Sequence, residues 1–234
     1  MTKPIAIIPA RGGSKRIPRK NIADVNGAPM ISYPIKAALA SNIFSEVLVS
    51  TDSHEISEIA HAYGASVIER PDHLATDTAF EIDAYKDFFV NDATTEQLSA
   101  GLFCAIYPTA IFITENDLKT SHKLIAEDNK TDALMSVSTY QIHPFKALEH
   151  NTDGYAKMVY PEYCLERSQT YPHYVASNGT FYWLRLSALL SSEKPTYYLP
   201  RLRTYEIPHE RAVDIDEPQD LNLARALMAS RSGS

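Results

Sequence analysis

Five cationic side chains fall within ten residues near the start of the chain: Arg11, Lys15, Arg16, Arg19 and Lys20. They follow an apolar run, residues 5–8, that predicts a buried strand. Gly12 and Gly13 let the backbone approach a ligand with its N–H groups, Ser14 adds a hydroxyl, and the cations supply charge. Since a glycine-bearing basic loop directly after a strand is typical of a phosphate site, the segment predicts a site for a triphosphate.

The spacing in this loop fits neither the Walker phosphate loop nor the dinucleotide fingerprint, because the required glycine and Lys-Ser/Thr spacings are absent. The alternative interpretation is a solvated basic turn. The coincidence of strand, paired glycines, serine and cations favours ligand binding through Arg11, Lys15 and Lys20. Arg16 and Arg19 are interpreted as surface charges.

A pair of carboxylates lies near the other end of the chain. Asp214 and Asp216 occupy alternate positions of a predicted extended segment, so both project to one side. Two aligned carboxylates can hold Mg²⁺ together with substrate phosphates, which makes Mg²⁺ the predicted cofactor. The alternative is that Asp216 caps a helix beginning at Pro218 while Asp214 is solvated.

The composition narrows the class of protein. The 234 residues carry a formal net charge of -7, which argues against a general nucleic-acid binder, because such binders need a broad basic surface. The two cysteines, Cys104 and Cys164, lack the spacing of a metal or redox motif and fit a reducing compartment. No segment has the pattern of a signal sequence or a membrane span, so we expect a cytoplasmic protein without a membrane partner.

Apolar runs alternate with helical patterns over most of the chain, which predicts an α/β fold: a doubly wound, mostly parallel but mixed sheet. A helix cap is expected at Ser53, and capping boxes are expected at Thr78 to Glu81 and at Thr114 to Asp117. Strands are predicted at 5–8, 47–50, 67–68, 102–107, 133–137, 179–184 and 204–207, and helices at 31–39, 54–63, 78–90, 114–126, 187–190 and 218–228.

Residues 138–174 break the alternation. Polar and aromatic residues mix there with Pro144, Pro161 and Pro172, and no long amphipathic helix follows. We predict a small inserted β-rich lobe within a nucleotide-binding domain made of residues 1–137 and 175–230. The last residues, 231–234, have linker composition and predict a tail.

Segment 8–21, I-P-A-R-G-G-S-K-R-I-P-R-K-N, resembles the acylneuraminate cytidylyltransferase family, whose members activate nine-carbon acidic sugars with CTP. The resemblance extends to segments 50–52, 69–71, 107–110, 167–169, 178–182 and 213–216. Tyr107 stands where sialic acid enzymes usually carry glutamine, and segments 166–169 and 181–183 are similar to the pseudaminic acid enzymes. Ile111 and segment 177–180 depart from that subgroup, which keeps sialic, legionaminic and deoxyoctulosonic acids open as alternative substrates.

The resemblance implies a Rossmann-like nucleotidyltransferase fold, a homodimer formed through the lobe, and transfer of CMP from CTP to a sugar hydroxyl with release of pyrophosphate. The implied CTP-binding residues are Ala10, Arg11, Gly12, Gly13, Ser14, Lys20, Asn21 and Arg70. The implied sugar-binding residues are Tyr107, Thr109, Arg167, Gln169 and Asn178. The implied catalytic residues are Arg11, Lys15, Lys20, Asp214 and Asp216, of which the two aspartates hold Mg²⁺.

Three of these residues have structural alternatives. Arg70 can be a surface salt-bridge residue, Arg167 can belong to an ion pair on the lobe surface, and Asn178 can mark an ordinary Asn-Gly turn. An alternative for the whole chain is a non-catalytic nucleotide-binding module on the same fold.

Overall fold

The computed structural model describes residues 2–232 of the chain. Its strands are β1 (Ile5–Pro9), β2 (Asp24–Val25), β3 (Ala28–Pro29), β4 (Glu46–Thr51), β5 (Ser66–Glu69), β6 (Leu102–Ile106), β7 (Ala133–Thr139), β8 (Leu148–His150), β9 (Ala156–Met158), β10 (Val175–Arg185) and β11 (Leu202–Glu206). Its α-helices are α1 (Ser32–Ser41), α2 (His54–Ala62), α3 (Glu81–Asn91), α4 (Thr95–Ser99), α5 (Glu115–Ala126), α6 (Leu186–Ser191) and α7 (Pro218–Ser232).

Seven of these strands form one sheet in the order β11-β7-β10-β6-β1-β4-β5. Within it, β10 runs antiparallel to both of its neighbours, and the other recorded pairings are parallel. This mixed, mostly parallel sheet confirms the predicted fold class. Because the parallel strands all point the same way, the loops that follow them meet at one edge of the sheet, where ligands of such folds bind.

The sheet is buried on both faces, which explains why its central strands read as continuous apolar runs. Ala6 and Ile8 of β1 pack into one core with α1 and α5, while Ile5 and Ile7 pack into a second core with α3. Trp183 of β10 is fully buried, and its indole N–H donates to the Ser121 hydroxyl of α5 at 2.9 Å. Because of this hydrogen bond, the large indole ring lies in the core without leaving its N–H unpaired.

The helix starts test the predicted caps. The Ser53 hydroxyl caps α2, and Thr114 and Asp117 form a capping box at α5, so both predictions are confirmed. The box predicted at Thr78 to Glu81 is wrong, because α3 begins at Glu81 after Phe80 without a side-chain cap.

Three element predictions also need correction. Helix α4 was missed, although its Thr94 and Gln97 form a capping box. Helix α7 continues to Ser232, so the predicted tail is helical over residues 231–232, while residues 233–234 lie outside the described part of the chain. Strand β10 begins at Val175, four residues before the predicted start.

The segment predicted as an inserted lobe lies between β7 and β10. It contains one antiparallel hairpin, β8 with β9, and short 3-10 turns. Its small core centres on the buried Phe145, whose ring stacks on Tyr163 at 3.7 Å between centroids. In the described residues, none of the helices has the length and apolar character needed to cross a bilayer.

Candidate active site

A cavity of about 710 Å³ opens at the carboxyl edge of the sheet, where the loops after β1, β5 and β6 face the first half of β10. Both charged segments predicted from the sequence line it. Its lining residues are Pro9, Arg11, Ser14, Lys15, Arg16, Lys20, Asn21, Arg70, Asp77, Ala79, Glu81, Tyr107, Pro108, Thr109, Ser177, Gly179, Tyr182, Asp214 and Asp216. The cationic loop near the beginning of the chain and the acidic pair near its end therefore meet.

The basic loop is tied down by its own polar groups. The Gly12 N–H donates to Asp52 Oδ1 at 2.7 Å, and Asn21 Nδ2 donates to the Arg11 carbonyl oxygen at 2.9 Å. A Cβ atom at Gly12 would lie 3.0 Å from the Ser53 Cβ, so the close approach to the start of α2 favours glycine. Ala10 is buried, and its N–H donates to the Ser50 carbonyl oxygen, which continues the hydrogen bonding between β1 and β4.

These contacts change part of the prediction. Ala10, Gly12 and Gly13 belong to the loop without lining the cavity. The Gly12 N–H serves Asp52 instead of pointing freely at a ligand, so this glycine fixes the shape of the loop. Ser14, Asn21 and the cations remain on the cavity wall.

Four of the five loop cations line the cavity, and each contacts a carboxylate. Arg11 Nη1 lies 2.7 Å from Asp77 Oδ1, and Lys15 pairs with the other oxygen of Asp77. Lys20 Nζ lies 3.0 Å from Asp216 Oδ1, and Arg16 Nη2 lies 2.8 Å from Asp216 Oδ2.

The interpretation of Arg16 as a surface charge outside the site is wrong, because Arg16 lines the cavity. Arg19 behaves as predicted: it pairs with Glu55 of α2 and does not line the cavity. Arg19 adopts a left-handed backbone conformation, with φ 56°, immediately before the 3-10 turn Lys20–Ile22.

Asp214 and Asp216 both line the cavity, while Ile215 between them is fully buried in a core with Val25 and Met30. This alternation is the one predicted for an extended segment. The capping alternative for Asp216 is wrong. It is the Asp220 carboxylate that accepts the N–H groups of Asp216 and Glu217, at 3.1 and 2.8 Å.

The two carboxylates differ electrostatically. Desolvation by the cavity walls, followed by the charge of Asp216, raises the pKa of Asp214 above its usual value. Desolvation also acts on Asp216, but hydrogen bonds and charge from Lys20 and Arg16 outweigh it and lower the pKa of that carboxyl. Among the described residues, no hydrogen bond or ion pair engages the Asp214 carboxylate.

An uncompensated carboxylate beside a second one is an arrangement that a divalent cation relieves. The described residues contain no group of three or more His, Cys, Asp or Glu side chains placed to hold a metal. The pair therefore fits an ion that takes its remaining oxygen ligands from a bound phosphate, as Mg²⁺ commonly does.

A buried ion pair anchors the segment that carries these aspartates. Arg211 donates to Asp117 of α5 through two hydrogen bonds, at 2.6 and 3.0 Å, and Tyr205 and Thr114 also donate to the same carboxylate. The Asp117 side chain is 3% exposed. Since Arg211 precedes Asp214 by three residues and Ile215 is held in the core, the backbone of Asp214 is fixed from both sides.

We expect Asp117→Asn to lower the free energy of unfolding by about 2 kcal/mol, because Arg211 then loses its charged partner. The pKa of Asp117 is lowered in the fold: desolvation opposes this, but the bonds from Arg211 and Thr114 prevail. A carboxyl whose pKa is lowered by folding stabilises the fold fully above the ordinary Asp pKa, and this contribution is lost as the pH falls through the lowered pKa of the folded state. Denaturant unfolding should therefore show the two proteins converging in acid.

The matched control for this prediction is Asp132→Asn. Asp132 also holds an arginine through two hydrogen bonds, but its partner Arg201 is 64% exposed. Exposed pairs contribute less than about 1 kcal/mol, so the loss should be smaller. Equal losses in the two variants would contradict the anchoring role of Asp117.

The wall opposite the cations is aromatic. Tyr107 follows β6 and donates its hydroxyl to Glu81 at the start of α3, and its ring lies 5.5 Å from that of Tyr182, between centroids. Burial, and then the neighbouring Tyr85 and Glu81, raise the pKa of Tyr107 far above its ordinary value, so this phenol stays neutral. Thr109, Ser177 and Gly179 complete the wall.

Arg70 lies at the bottom of the cavity and is only 5% exposed. Its Nε donates to the Ser50 hydroxyl at 3.2 Å, while its Nη2 is buried without a hydrogen-bond partner. The described residues offer it no carboxylate within ion-pair distance, so the surface salt-bridge alternative is wrong. A buried guanidinium with an unsatisfied N–H is suited to a ligand oxygen.

Three predicted sugar-binding residues lie elsewhere. The Asn178 amide points into the sheet, accepting from Ser136 at 2.7 Å and donating to Ser138 at 3.1 Å. It holds the irregularity of β10 at Gly179, whose φ is 64°, and this structural role replaces the predicted sugar contact. Arg167 and Gln169 line a separate hollow on the lobe and do not reach this cavity within one chain.

Several cavity residues were missed from the sequence: Arg16, Asp77, Ala79, Glu81, Ser177 and Tyr182. Asp77 enters the site from the segment between β5 and α3, and Glu81 enters it from the first residue of α3. No local signal marks Asp77, because it meets the basic loop only through the fold.

Known cytidylyltransferases resemble this chain over nearly its whole length. The cytidylyltransferase family model matches residues 5–228. The chain is 33% identical over 226 residues to a pseudaminic acid cytidylyltransferase of Campylobacter jejuni subsp. jejuni serotype O:23/36 (strain 81-176), covering 96% of both chains. It is 32% identical over 224 residues to N-acylneuraminate cytidylyltransferase A of Danio rerio, covering 94% of this chain and 49% of that one.

Among solved structures, a CMP:2-keto-3-deoxy-manno-octonic acid synthetase complexed with CTP superposes with a TM-score of 0.72. The superposition covers 98% of this chain and 99% of that one at 22% identity, which shows a shared fold. The family resemblance predicted from the sequence motifs is confirmed by the family model and the curated relatives.

Proposed function

The chain belongs to the cytidylyltransferase family, and from that premise we propose that it transfers CMP from CTP to the anomeric hydroxyl of a nine-carbon acidic sugar, with release of pyrophosphate. Pseudaminic acid is the preferred acceptor, because pseudaminic acid cytidylyltransferases from two strains match this chain over 96% of both lengths. The single observation that carries the proposal is the meeting of the basic loop and the acidic pair in one cavity.

In the proposed complex the triphosphate of CTP lies along Arg11, Lys15 and Lys20. Arg16, which faces the same space, adds a fourth positive charge. The buried Arg70 and the Asn21 side chain are placed to hold the ribose and cytosine end. The sugar takes the opposite wall at Tyr107 and Thr109, where the neutral phenols and the Thr109 hydroxyl can hydrogen-bond to its polar groups.

Asp214 and Asp216 are the proposed ligands of Mg²⁺. When bound, the ion supplies positive charge to the phosphate oxygens. Asp216 pairs with Lys20 and Arg16 in the free protein, so an ion held by this carboxylate would leave both cations available to the phosphates. In the transfer step the sugar hydroxyl oxygen bonds the α-phosphorus and its proton is released to solvent. The bond from the α-phosphorus to the oxygen that bridges to the β-phosphorus breaks, and pyrophosphate leaves with that oxygen. The side chains contribute positioning and charge stabilisation, and no covalent enzyme intermediate is needed.

The test is pyrophosphate release from CTP in the presence of Mg²⁺ and one candidate sugar at a time: pseudaminic, sialic, legionaminic or deoxyoctulosonic acid. We expect release with a nine-carbon acid, fastest with pseudaminic acid. Binding of CTP without release with any sugar would replace this function by the non-catalytic module.

We further propose a homodimer formed through the lobe, in a cytoplasmic protein. Large apolar side chains stand on the surface of the lobe: Ile142, Leu148, Tyr155, Val159 and Leu165, of which Leu165 is 94% exposed. A patch of this kind is typical of an interface. A second copy seated here brings its own Arg167 and Gln169 near the interface, which is how these residues would contribute to a sugar site.

Sedimentation tests this interface. We expect a dimer at micromolar concentration, and Leu165→Arg should yield monomers, because it buries an unpaired charge in the interface. Val90→Arg is the control, since Val90 is also exposed but lies on α3. A wild-type monomer at that concentration would contradict the proposed dimer.

A further inference from the structure

The carboxylate of Asp77 lies against two of the cations assigned above to the triphosphate. One oxygen is 2.7 Å from Arg11 Nη1 and the other pairs with Lys15. The same arginine nitrogen lies 3.5 Å from the Ala75 carbonyl oxygen of the same segment. Asp77 therefore lines the cavity and pairs there with two cations of the basic loop.

A carboxylate presents two oxygens on one centre, and here each oxygen takes one cation. A ligand phosphate can present oxygens to the same N–H groups with a similar spacing and more charge. Asp77 and a phosphate therefore cannot both hold Arg11 and Lys15 in this geometry. In the free protein the Asp77 carboxylate therefore takes the place of a ligand phosphate at these two cations.

The segment that carries Asp77 can change conformation without disturbing a helix or a strand. Residues 75–80 form neither helix nor strand between the 3-10 turn Asp72–Leu74 and α3. The Asp77 side chain is 43% exposed, and beyond its two cation contacts no further hydrogen bond holds its carboxylate among the described residues. Swinging this side chain toward solvent breaks two ion pairs and leaves the sheet and helices in place.

We propose that Asp77 is a positioning residue that holds Arg11 and Lys15 in the free enzyme, competes with ligand phosphates for them, and takes them back as pyrophosphate leaves. The proposal rests on the proposed function, because it assumes that phosphates bind at these two cations. Competition of this kind weakens the binding of every ligand that reaches both cations, whether it enters as CTP or leaves as pyrophosphate. Ligands that stop short of them, such as cytidine, are unaffected.

Calorimetric titration of pyrophosphate into the full chain tests this directly. Asp77→Asn keeps the size of the side chain and removes its charge, so we expect pyrophosphate and CTP to bind roughly fivefold to tenfold more tightly. Cytidine affinity should not change. Product inhibition by pyrophosphate should strengthen by a similar factor, which a purely structural role for Asp77 would not produce.

Two further variants serve as controls for the pyrophosphate titration. Asp128→Asn is the matched control, because Asp128 is also a surface aspartate paired with an arginine, Arg203, but lies outside the cavity. Its pyrophosphate affinity should equal that of the wild type. Asp77→Ala should tighten binding in the same direction as Asp77→Asn. Unchanged or weaker pyrophosphate binding in both Asp77 variants would overturn the proposal.

The failure of this inference is distinguishable from the failure of the proposed function. If Arg11→Ala weakens pyrophosphate binding while the Asp77 variants leave it unchanged, the phosphates bind as assigned and only the competition is wrong. If Arg11→Ala and the wild type bind pyrophosphate equally, the phosphate site itself is misplaced and both proposals fall.

Discussion

Asp214→Asn is expected to lower kcat by about a thousandfold while changing the affinity for CTP much less. Asp214 lines the cavity and has no hydrogen bond or ion pair with the described residues, so the substitution removes the proposed metal ligand without freeing a cation. The carboxamide keeps the shape but lacks the negative charge that a divalent cation needs. Steady-state pyrophosphate release at saturating CTP and Mg²⁺ measures the effect.

Glu217→Gln is the control for this variant. Glu217 is an acidic residue of the same segment and contacts Arg16 at 3.4 Å, but it does not line the cavity. We expect its kcat to remain near that of the wild type. Near-normal turnover by Asp214→Asn would remove the metal role from the acidic pair.

Arg11→Ala is expected to reduce kcat by roughly a hundredfold or more, with a smaller change in KM for CTP. A cation that strengthens its contact as charge develops on the phosphoryl oxygens stabilises the transition state more than the ground state. Because Arg11 also pairs with Asp77 in the free protein, the loss of ground-state binding is further reduced. Initial rates over a range of CTP concentrations separate kcat from KM.

Arg19→Ala is the matched control, since it removes an arginine of the same loop that pairs with Glu55 away from the cavity. Its kinetics should stay close to wild type. A change in Arg11→Ala confined to KM would mean that Arg11 binds substrate and transition state equally, which contradicts the role assigned to it.

The parts of this site that follow local patterns were predictable. Buried parallel strands produce apolar runs such as residues 5–8, and a period of two places Asp214 and Asp216 on one side of an extended segment with Ile215 in the core. Their meeting with the basic loop follows from the topology, because the carboxyl ends of parallel strands share one edge.

The remaining features depend on contacts between distant parts of the chain. Asp77 pairs with Arg11 across 66 residues, and Asn178 turns toward β7 because the irregularity of β10 directs it there. Neither contact leaves a local signature. The capping box at Thr94 and Gln97 did have a local signature. The Thr78 to Glu81 pattern has the right residues, but the helix begins only at Glu81, with Phe80 at its N-cap position.

The central claim is that the basic loop and the acidic pair act on one ligand in one step, and a double-mutant cycle on kcat tests it most directly. In the variant that combines Arg11→Ala with Asp214→Asn, we predict turnover close to that of the slower single variant, because groups that act as a unit are strongly non-additive. A double variant slowed by the full product of the two single effects would show independent contributions and contradict the account.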